Sequence, residues 1–436
     1  MSGKIGNNPY RASGVVAAAA GGGAIDWCTT VKTGAFCAAS GSGYLVNTTS
    51  AAFTATLPCS PTEGDQVSFV DFAGTFDSNA LTIGRNTKKI KGACCDSTVG
   101  AERGAVTIIY TGTTQGWITT GQAGSATMSQ EAFITASGGT ETTCGDYKIH
   151  KFTATGPLDV TALTCCSAND KVSYMVVAGG GGGASDFGAG AGAGGFREGK
   201  WSTDPYTASP LAATPCSGLT VAVSDYTITV GGGGTAGAAP VGAGGTGGVS
   251  TFSTITSAGG GHGGSSCPSH CPQGGGAGGS GGGSAGGWCG AHFPVGAGNT
   301  PPTSPAQGFP GGDGRCGPGT PYGPGGGGGA TVIGTAACGS VVGPGGAGAT
   351  THILAGTAAI YGGGGGGGRT SYGSPSTCTG GCGGPGGGGN GAQAAPETGE
   401  DGDDYTGGGG GGGWAAPGTS GGAGGPGIVI VRYKYQ

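Results

Sequence analysis

Charged side chains are scarce in this sequence, and their scarcity argues against nucleic-acid binding. Only 9% of the 436 residues are charged, whereas an ordinary globular domain has about 25%. The 17 Lys and Arg residues do not gather into a stripe, and the formal net charge is -5. Proteins that bind duplexes need clustered cations to displace counterions from the phosphates. We therefore expect no nucleic-acid partner.

Long apolar runs are also absent. No run approaches the roughly 18 apolar residues that span a bilayer. The run at residues 15–20 is too short even for the core of a signal peptide. We therefore expect a soluble protein without membrane insertion and without a secretion signal.

Catalytic patterns are missing as well. The chain has only five His residues, with no Ser-His-Asp arrangement at a familiar spacing and no pair of carboxylates on a rigid frame. We therefore expect a non-enzymatic protein. The alternative is an enzyme that acts on surface glycans, which would require such an acid pair.

Glycine, by contrast, is abundant, with 114 residues. Because glycine loses more backbone entropy on folding than any other residue, such a chain must form very regular backbone hydrogen bonds or stay disordered. Disordered chains usually combine high net charge with few aromatic and β-branched residues. Here the net charge is low, and Tyr, Phe and Val are spread along the chain, so the composition favours order.

Glycine-rich tracts alternate with connectors between residues 179 and 425, without a fixed period. Many tracts are nearly pure glycine, which excludes the Gly-X-Y repeat of collagen, and serine is too sparse in them for a flexible linker. Polyglycine can adopt the extended threefold helix that proline also favours, while each glycine keeps an N–H group for a neighbouring helix. We predict polyglycine II helices packed side by side, with room between them for nothing larger than Ala.

Short runs of β-branched and aromatic residues predict strands before the tracts. These predicted strands are residues 44–46, 53–57, 66–72, 81–84, 105–110, 132–135, 147–153, 158–163 and 172–177.

Further strands are predicted among and after the tracts. The connectors 249–256, 330–342 and 350–361 contain β-branched runs, which predict strands that flank the glycine slab. Residues 427–435 predict a terminal strand that pairs back into the β frame.

These patterns together predict an all-β protein, in which a small β domain precedes a β-framed glycine-rich domain of packed polyglycine II helices. The predicted divisions are an N-terminal arm at residues 1–23, a β domain at 24–125, a framing β segment at 126–178 and a glycine-rich domain with distal loops at 179–436.

Six segments carry a resemblance to known proteins. Residues 3–9 (GKIGNNP), 75–86 (TFDSNALTIGRN) and 111–117 (TGTTQGW) resemble the amino-terminal part of tail-fibre structural proteins from marine tailed phages, especially those of cyanobacteria. A second set of segments resembles the glycine-rich domain of phage adhesins. That set consists of residues 146–150 (DYKIH), 175–181 (MVVAGGG) and 426–433 (PGIVIVRY).

The resemblance implies a virion protein of a tail fibre or tail tip. The β domain would attach to other virion tail proteins or form a homo-oligomer, with a trimer as one option. The loops between packed polyglycine helices would contact a host surface receptor, either a glycan or an outer-membrane protein. The alternative is a purely structural fibre, head fibre or filament subunit without receptor contact.

The 16 Cys residues are even in number. In an extracellular particle such a set predicts partial disulfide bonding, with a pairing that a single sequence cannot assign. The cysteine count also departs from what the resemblance implies, which leaves cross-linked loops and metal binding open.

Rigid aromatic anchors are the expected contact residues of recognition loops, because they offer a large area at a small entropic cost. The alternative for each anchor is that it caps the glycine slab or packs on the β frame. The candidates beside or between tracts are Trp288, His292, Phe293, Tyr322, Tyr372, Tyr405 and Trp414.

Two groups of residues have the chemistry of metal ligands, although no cofactor is required. Thiolates and imidazoles in one region could complete a zinc site, with a disulfide or free thiols as the simpler explanation. A run of carboxylates beside Tyr405 could bind Ca²⁺, with a solvated loop as the alternative. The residues are His262, Cys267, His270, Cys271, Cys289 and His292 for Zn²⁺, and Glu397, Glu400, Asp401, Asp403 and Asp404 for Ca²⁺.

Overall fold

The fold is all-β, as the sequence predicts. The structure is a computed structural model whose described residues contain strands and extended segments but no α-helix. No helix with the length and apolarity to cross a membrane occurs in this part of the chain. The described residues are 25–123, 128–129, 133–164, 169–213, 218–240, 242–266, 273–286, 293–314, 323–338, 341–354, 357–369, 380–394, 396–414 and 419–436.

The chain divides into two compact units. The first comprises residues up to Phe133 together with 163–169, and the second comprises residues 134–162 and 170–436. The first unit contains the strands β1 (Asp26–Lys32), β2 (Phe36–Cys37), β3 (Ser42–Val46), β4 (Phe53–Thr56), β5 (Gln66–Asp71), β6 (Leu81–Gly84), β7 (Ser97–Val99), β8 (Ala105–Tyr110), β9 (Trp117–Ala123) and β10 (Met128–Ser129).

The chain of the first unit winds alternately through two sheets. Strands β1, β3 and β5 pair in parallel in one sheet, and β2, β4 and β6 pair in parallel in the other. Antiparallel strands complete both sheets, in the orders β1-β3-β5-β8-β9 and β10-β7-β6-β4-β2. Because the chain passes from one sheet to the other and back, residues of consecutive parallel strands lie beside one another in a shared core.

Aromatic residues of successive strands pack against one another in that core. The ring centroids of Phe36 and Tyr44 are 4.8 Å apart, and those of Tyr44 and Phe69 are 6.0 Å apart. Trp117 and Phe76 are fully buried in the same cluster. The first unit therefore has a conventional apolar core, built from the β-branched and aromatic runs of the sequence.

The second unit has 13 described strands. They are β11 (Thr135–Ser137), β12 (Thr140–Cys144), β13 (Tyr147–Phe152), β14 (Gly156–Ala162), β15 (Lys171–Val177), β16 (Phe196–Gly199), β17 (Leu219–Thr220), β18 (Ser224–Thr229), β19 (Ser250–Phe252), β20 (Ile255–Ser257), β21 (Ala349–Thr351), β22 (Ala359–Tyr361) and β23 (Ile428–Lys434).

The terminal strand β23 is the central strand of the second unit. It pairs antiparallel with β13 on one side and with β15 on the other, in a sheet ordered β12-β13-β23-β15-β16, with β17 also paired to β15. A second sheet has the order β11-β14-β18-β19-β20, and β21 and β22 form a hairpin. The prediction that residues 427–435 pair back into the β frame is confirmed.

One predicted strand region is wrong. Residues 330–342 contain only an isolated bridge between Cys338 and Val341 among their described positions. Their amides instead bond to neighbouring glycine tracts, as when Thr335 donates to the carbonyl of Pro344 at 3.0 Å. The nearby tracts supply partners for this backbone, so its β-branched residues do not enter a sheet.

The prediction of partial disulfide bonding is not supported among the described residues. Eight of the cysteines lie there, and all are free. They are Cys28, Cys37, Cys59, Cys94, Cys95, Cys144, Cys338 and Cys382.

Candidate functional site

Glycine tracts extend directly from the strands of the second unit. Strand β15 runs into the tract 178–185, and β22 runs into the tract 362–368. In the opposite direction, the tract 188–195 leads into β16, and the tract 419–427 leads into β23. The strands therefore anchor one end of a bundle of extended glycine segments.

Successive amides of tract 188–195 donate in a repeating order to three neighbouring segments. The first, fourth and seventh amides donate to tract 407–413, the second, fifth and eighth to tract 258–264, and the third and sixth to residues 325–328. The N···O distances are 2.8–3.3 Å. In chain order, the acceptors are the carbonyls of Gly413, Gly264, Gly325, Gly410, Gly261, Gly328, Gly407 and Ala258.

The carbonyls of the same tract accept from three further segments. Gly190 and Ala193 accept from Gly283 and Ser280, at 2.9 and 3.0 Å. Other carbonyls accept from residues 181–184 and 365–368. The tract 188–195 is therefore surrounded by six hydrogen-bonded neighbours, and all its residues are buried.

A second tract, residues 362–368, is likewise hydrogen-bonded to neighbouring segments on all sides. Its amides donate to segments 386–389, 343–346 and 188–191 and to Thr406, and its carbonyls accept from 409–412, 381–384 and 327–330. Buried backbone polar groups must find partners. Here the partners come laterally from other tracts, so the bundle satisfies its backbone groups without a conventional core.

The close spacing of the tracts explains the glycine content. A Cβ atom added to Gly190 would fall on the carbonyl oxygen of Gly365, and one added to Gly412 would fall on that of Gly188. Ala189, Ala191 and Ala193 are fully buried in the same tract. Individual positions therefore accept a methyl group, whereas their neighbours accept none.

The tract ends that lie away from the strands form one face. We call it the end face and define it by Asp186, Ser266, Phe293, Arg369 and Trp414. The amide of Ser266 donates to the carbonyl of Asp186 at 3.3 Å, and the amide of Arg369 donates to that of Ala392 at 3.0 Å.

Two predicted contact residues lie at the end face. Phe293 is half-buried and precedes Pro294, whose carbonyl accepts from Gly275 at 3.0 Å. Trp414 is half-buried and follows Gly413, which bonds to residues on both sides of the turn 185–187. The hydroxyl of Thr419 donates to the carbonyl of Trp414 at 2.7 Å and fixes its backbone.

Tyr405 lies at the opposite end of the bundle. The next residue, Thr406, accepts from the amide of Gly362, where β22 ends, and Gly407 donates to Pro426, close to the start of β23. The Tyr405 side chain is 41% exposed. The structure therefore separates Tyr405 from Phe293 and Trp414. The remaining candidates Trp288, His292, Tyr322 and Tyr372 lie outside the described residues.

The structure does not gather the acidic run into a cluster of side chains. Within the described part of the chain, no group of three or more His, Cys, Asp or Glu side chains could hold a metal ion, so Asp401, Asp403 and Asp404 do not converge. Asp401 instead accepts from the amide of Ala423 at 2.6 Å. Glu397 accepts from two amides of its own loop at 3.0 and 3.1 Å. These carboxylates stabilise loop backbone.

Most of the proposed zinc ligands cannot be placed. Cys267, His270, Cys271, Cys289 and His292 lie outside the described residues. His262 is described and is half-buried within the tract 258–266, with its Nδ1 atom 3.2 Å from the carbonyl oxygen of Gly263.

The structure places two polar residues at or beside the end face that the sequence patterns did not single out. Asp186 is 9% exposed, and burial raises its pKa to about 6. Ser265 is 1% exposed, and its hydroxyl has no hydrogen-bond partner. In the sequence, Asp186 could have been found because Ser-Asp-Phe at residues 185–187 interrupts a glycine-rich tract.

A buried ion pair lies among the strands that anchor the bundle. The Arg432 Nε atom donates to both carboxylate oxygens of Asp204, at 2.9 and 3.1 Å. The guanidinium lies 4.7 Å from the ring centroid of Tyr147, and Ser173 donates to Asp204 at 2.9 Å. The pair joins β23 to the segment after β16.

A buried His–Tyr pair joins β13 to the same strand β23. His150 Nδ1 is 2.7 Å from the carbonyl oxygen of Gly138, so Nδ1 carries the proton, and Nε2 accepts from the Tyr433 hydroxyl at 3.0 Å. Burial lowers the pKa of His150 and raises that of Tyr433 to about 12. Both side chains are therefore neutral near pH 7.

A model of the family described as glycine-rich domain matches residues 153–434, which is more than half of the chain. No curated protein matches the chain. The match spans the anchoring strands and the hydrogen-bonded tracts, and the chain therefore belongs to the glycine-rich domain family.

Proposed function

We propose that the tracts are polyglycine II helices and that this chain is a non-enzymatic virion protein of a tailed phage. In this proposal it is a tail fibre or tail-tip adhesin that binds a host surface receptor at the end face. The support is the glycine-rich domain family, the resemblance of residues 3–9, 75–86 and 111–117 to tail-fibre proteins, and the architecture of the bundle.

One observation carries the proposal, namely the rotation of hydrogen bonds through three directions along tract 188–195. A threefold helix directs every third peptide group to the same side, which accounts for the pattern. At about 3.1 Å per residue, eight residues extend about 25 Å. Such a bundle would hold contact residues on a rigid base, and rigid placement lowers the entropic cost of binding.

The position of the aromatic residues narrows the proposed contact surface. Phe293 and Trp414 lie at the end face, whereas Tyr405 lies where the tracts meet the strands. We therefore assign receptor contact to the end face and leave Tyr405 out of it. The proposed partners are a host glycan or outer-membrane protein at this face and other virion proteins at the first unit, and the proposed location is the virion tail.

Binding of the full-length protein to host cells tests this assignment. We expect fluorescently labelled protein to bind cyanobacterial host cells and to compete with phage adsorption. Phe293→Ala and Trp414→Ala should each weaken binding about tenfold or more, as expected for aromatic anchors. Tyr405→Ala, an exposed aromatic at the other end of the same bundle, is the matched control and should bind like the wild type.

Two results would contradict the assignment. One is a wild-type protein that neither binds the cells nor competes with adsorption. The other is equal binding by all three variants, with the fold of each checked by circular dichroism. Equal binding would favour contact elsewhere on the chain.

A purely structural role is the second candidate. The observation in its favour is that the lateral hydrogen bonds stiffen the bundle without any side chain. A shaft, head fibre or filament subunit needs that stiffness alone. Loss of cell binding in the end-face variants would argue for recognition, whereas a wild-type protein that neither binds cells nor competes with adsorption would argue for this alternative.

A further inference from the structure

The turn at residues 185–187 has an unfavourable backbone and buries a charge. Asp186 and Phe187 both have positive φ angles, 44° and 48°, a conformation that costs free energy in residues other than glycine. Both side chains are buried. Two consecutive strained residues at the end face call for an explanation beyond chain reversal, because glycine would reverse the chain at lower cost.

The Asp186 carboxylate has no hydrogen-bond or ion-pair partner among the described residues. Burial alone accounts for the raised pKa of this group. A carboxylate buried without partners destabilises a fold. A smaller residue in place of Asp186 would therefore leave the turn at least as stable.

Two further polar atoms without partners lie beside this turn. The Ser265 hydroxyl and the Trp414 Nε1 group are buried and form no hydrogen bond. Ser265 precedes Ser266, whose amide bonds to the Asp186 carbonyl, and Trp414 follows Gly413, which bonds to Ala184 and Gly188. The two residues thus flank the turn from two sides.

The three groups are complementary to one kind of ligand. A carboxylate accepts hydrogen bonds, an indole N–H donates one, and a hydroxyl does both. A ligand that satisfies all three must present several hydroxyl groups that donate and accept. An aromatic ring beside polar groups of this kind also offers an apolar surface to the C–H face of such a ligand.

We propose that Asp186, Ser265 and Trp414 form a subsite for a neutral polyhydroxylated ligand, a sugar residue, at the end face. The proposal rests on the proposed receptor-binding function and names its ligand class. An anionic sugar is disfavoured because it would meet the Asp186 carboxylate. Unsatisfied polar atoms and strained backbone then persist because binding, rather than folding, uses them.

Saturation-transfer NMR on the full chain tests the subsite, with glucose, galactose, mannose and N-acetylglucosamine as separate probes and sialic acid as the anionic counter-probe. We expect at least one neutral sugar to bind and sialic acid not to bind. Ser265→Ala, Trp414→Phe and Asp186→Asn should each weaken that binding about fivefold or more, because each removes or weakens one polar contact.

Thermal stability separates loss of a contact from loss of the fold. Removing a buried hydroxyl that has no partner does not weaken a fold, so the melting temperature of Ser265→Ala should equal or exceed that of the wild type. Trp414→Phe also removes part of a half-buried ring, so its melting temperature should be somewhat lower. Ser280→Ala and Trp117→Phe remove the same two atom types, also without partners, away from the end face. These matched controls should bind sugar like the wild type.

Three results would overturn the subsite. They are the absence of binding by all four neutral sugars, unchanged binding in the three end-face variants, and weakened binding only in variants that also melt earlier. Cell binding by a wild-type protein that binds no sugar would overturn the subsite and leave the adhesin role standing. Sugar binding by a protein that does not bind cells would overturn the adhesin role and leave the subsite standing.

Discussion

At the scale of single residues, the position of a glycine in the bundle determines what its replacement costs. Gly190 lies in a tract with six neighbours, and a methyl group there would meet the carbonyl oxygen of Gly365. Gly232 is exposed, and an added Cβ would have no atom within 4 Å. The same substitution at these two glycines therefore compares a tightly packed position with an open one.

We expect Gly190→Ala to lower the free energy of unfolding of the second unit by about 1–3 kcal/mol, because overpacking forces tightly packed neighbours apart. Gly232→Ala should be neutral or stabilising by up to about 1 kcal/mol, because alanine restricts the unfolded chain. Denaturant unfolding of both variants measures the difference. Equal destabilisation would mean that the tracts are not packed as closely as the structure has them.

At the scale of secondary-structure elements, two buried polar contacts join strands of the second unit. The Arg432–Asp204 pair joins β23 to the segment after β16, and the His150–Tyr433 pair joins β13 to β23. Both contacts therefore involve the central strand, from whose neighbours the tracts extend.

Breaking the Arg432–Asp204 pair should be costly. We expect Asp204→Ala to lower the free energy of unfolding by about 3–5 kcal/mol, because Arg432 would be left charged and buried. Asp146→Ala removes an exposed ion pair with Lys434, whose atoms are 3.8 Å apart, and should cost at most about 1 kcal/mol. Similar losses in the two variants would contradict the buried character of the Arg432 pair.

The His150–Tyr433 pair should make stability depend on pH. Burial lowers the pKa of His150 below its ordinary value of 6.5, while Glu141 opposes and Lys148 reinforces the change. The unfolded chain therefore takes up a proton near pH 6.5, before the folded chain does. Stability should be constant with respect to this group above that pH and should fall as the pH decreases below it, by at most about 1.4 kcal/mol per unit.

Chemical denaturation at a series of pH values between 7 and 5 measures this slope. His150→Gln cannot take up the proton, so its slope should be smaller than that of the wild type. An identical slope in the variant would assign the pH dependence to other groups.

At the scale of the whole molecule, two kinds of interior coexist in one chain. The first unit has an apolar core with stacked aromatic rings. The second unit adds to its apolar cluster a bundle in which lateral backbone hydrogen bonds replace side-chain packing. The bundle should consequently resist local opening as a unit, because each tract is held by several others.

Amide hydrogen exchange measures that cooperativity. We expect slow and similar exchange along tracts 188–195 and 362–368, whose amides are buried and bonded. Exchange should be fast at Gly232 and Gly233, which are exposed at the edge of the bundle. Fast exchange throughout the central tracts would show loose coil, and the proposed rigid support of the end face would fail with it.

Local patterns predicted much of the fold. Strands β6 and β8 have the predicted bounds, and β23 pairs back into the β frame as its apolar run indicates. Strands β16 and β18 were not predicted, because Phe-Arg-Glu-Gly and Ser-Asp-Tyr-Thr-Ile-Thr are polar and short. Their pairing depends on β15 and β14, which are distant in sequence and cannot be inferred from local propensity.

The amino-acid sequence by itself determined that the chain is all-β and that its glycine-rich part is built from extended segments, because composition and residue periodicity act locally. Only the tertiary structure decided which six segments surround residues 188–195, that Tyr405 lies apart from Phe293 and Trp414, and that Ser265 and Trp414 flank the turn that contains Asp186. The physical reason is that glycine tracts carry no side chains to distinguish one neighbour from another. Their partners are selected by the anchoring strands and by chain connectivity, which no local pattern encodes.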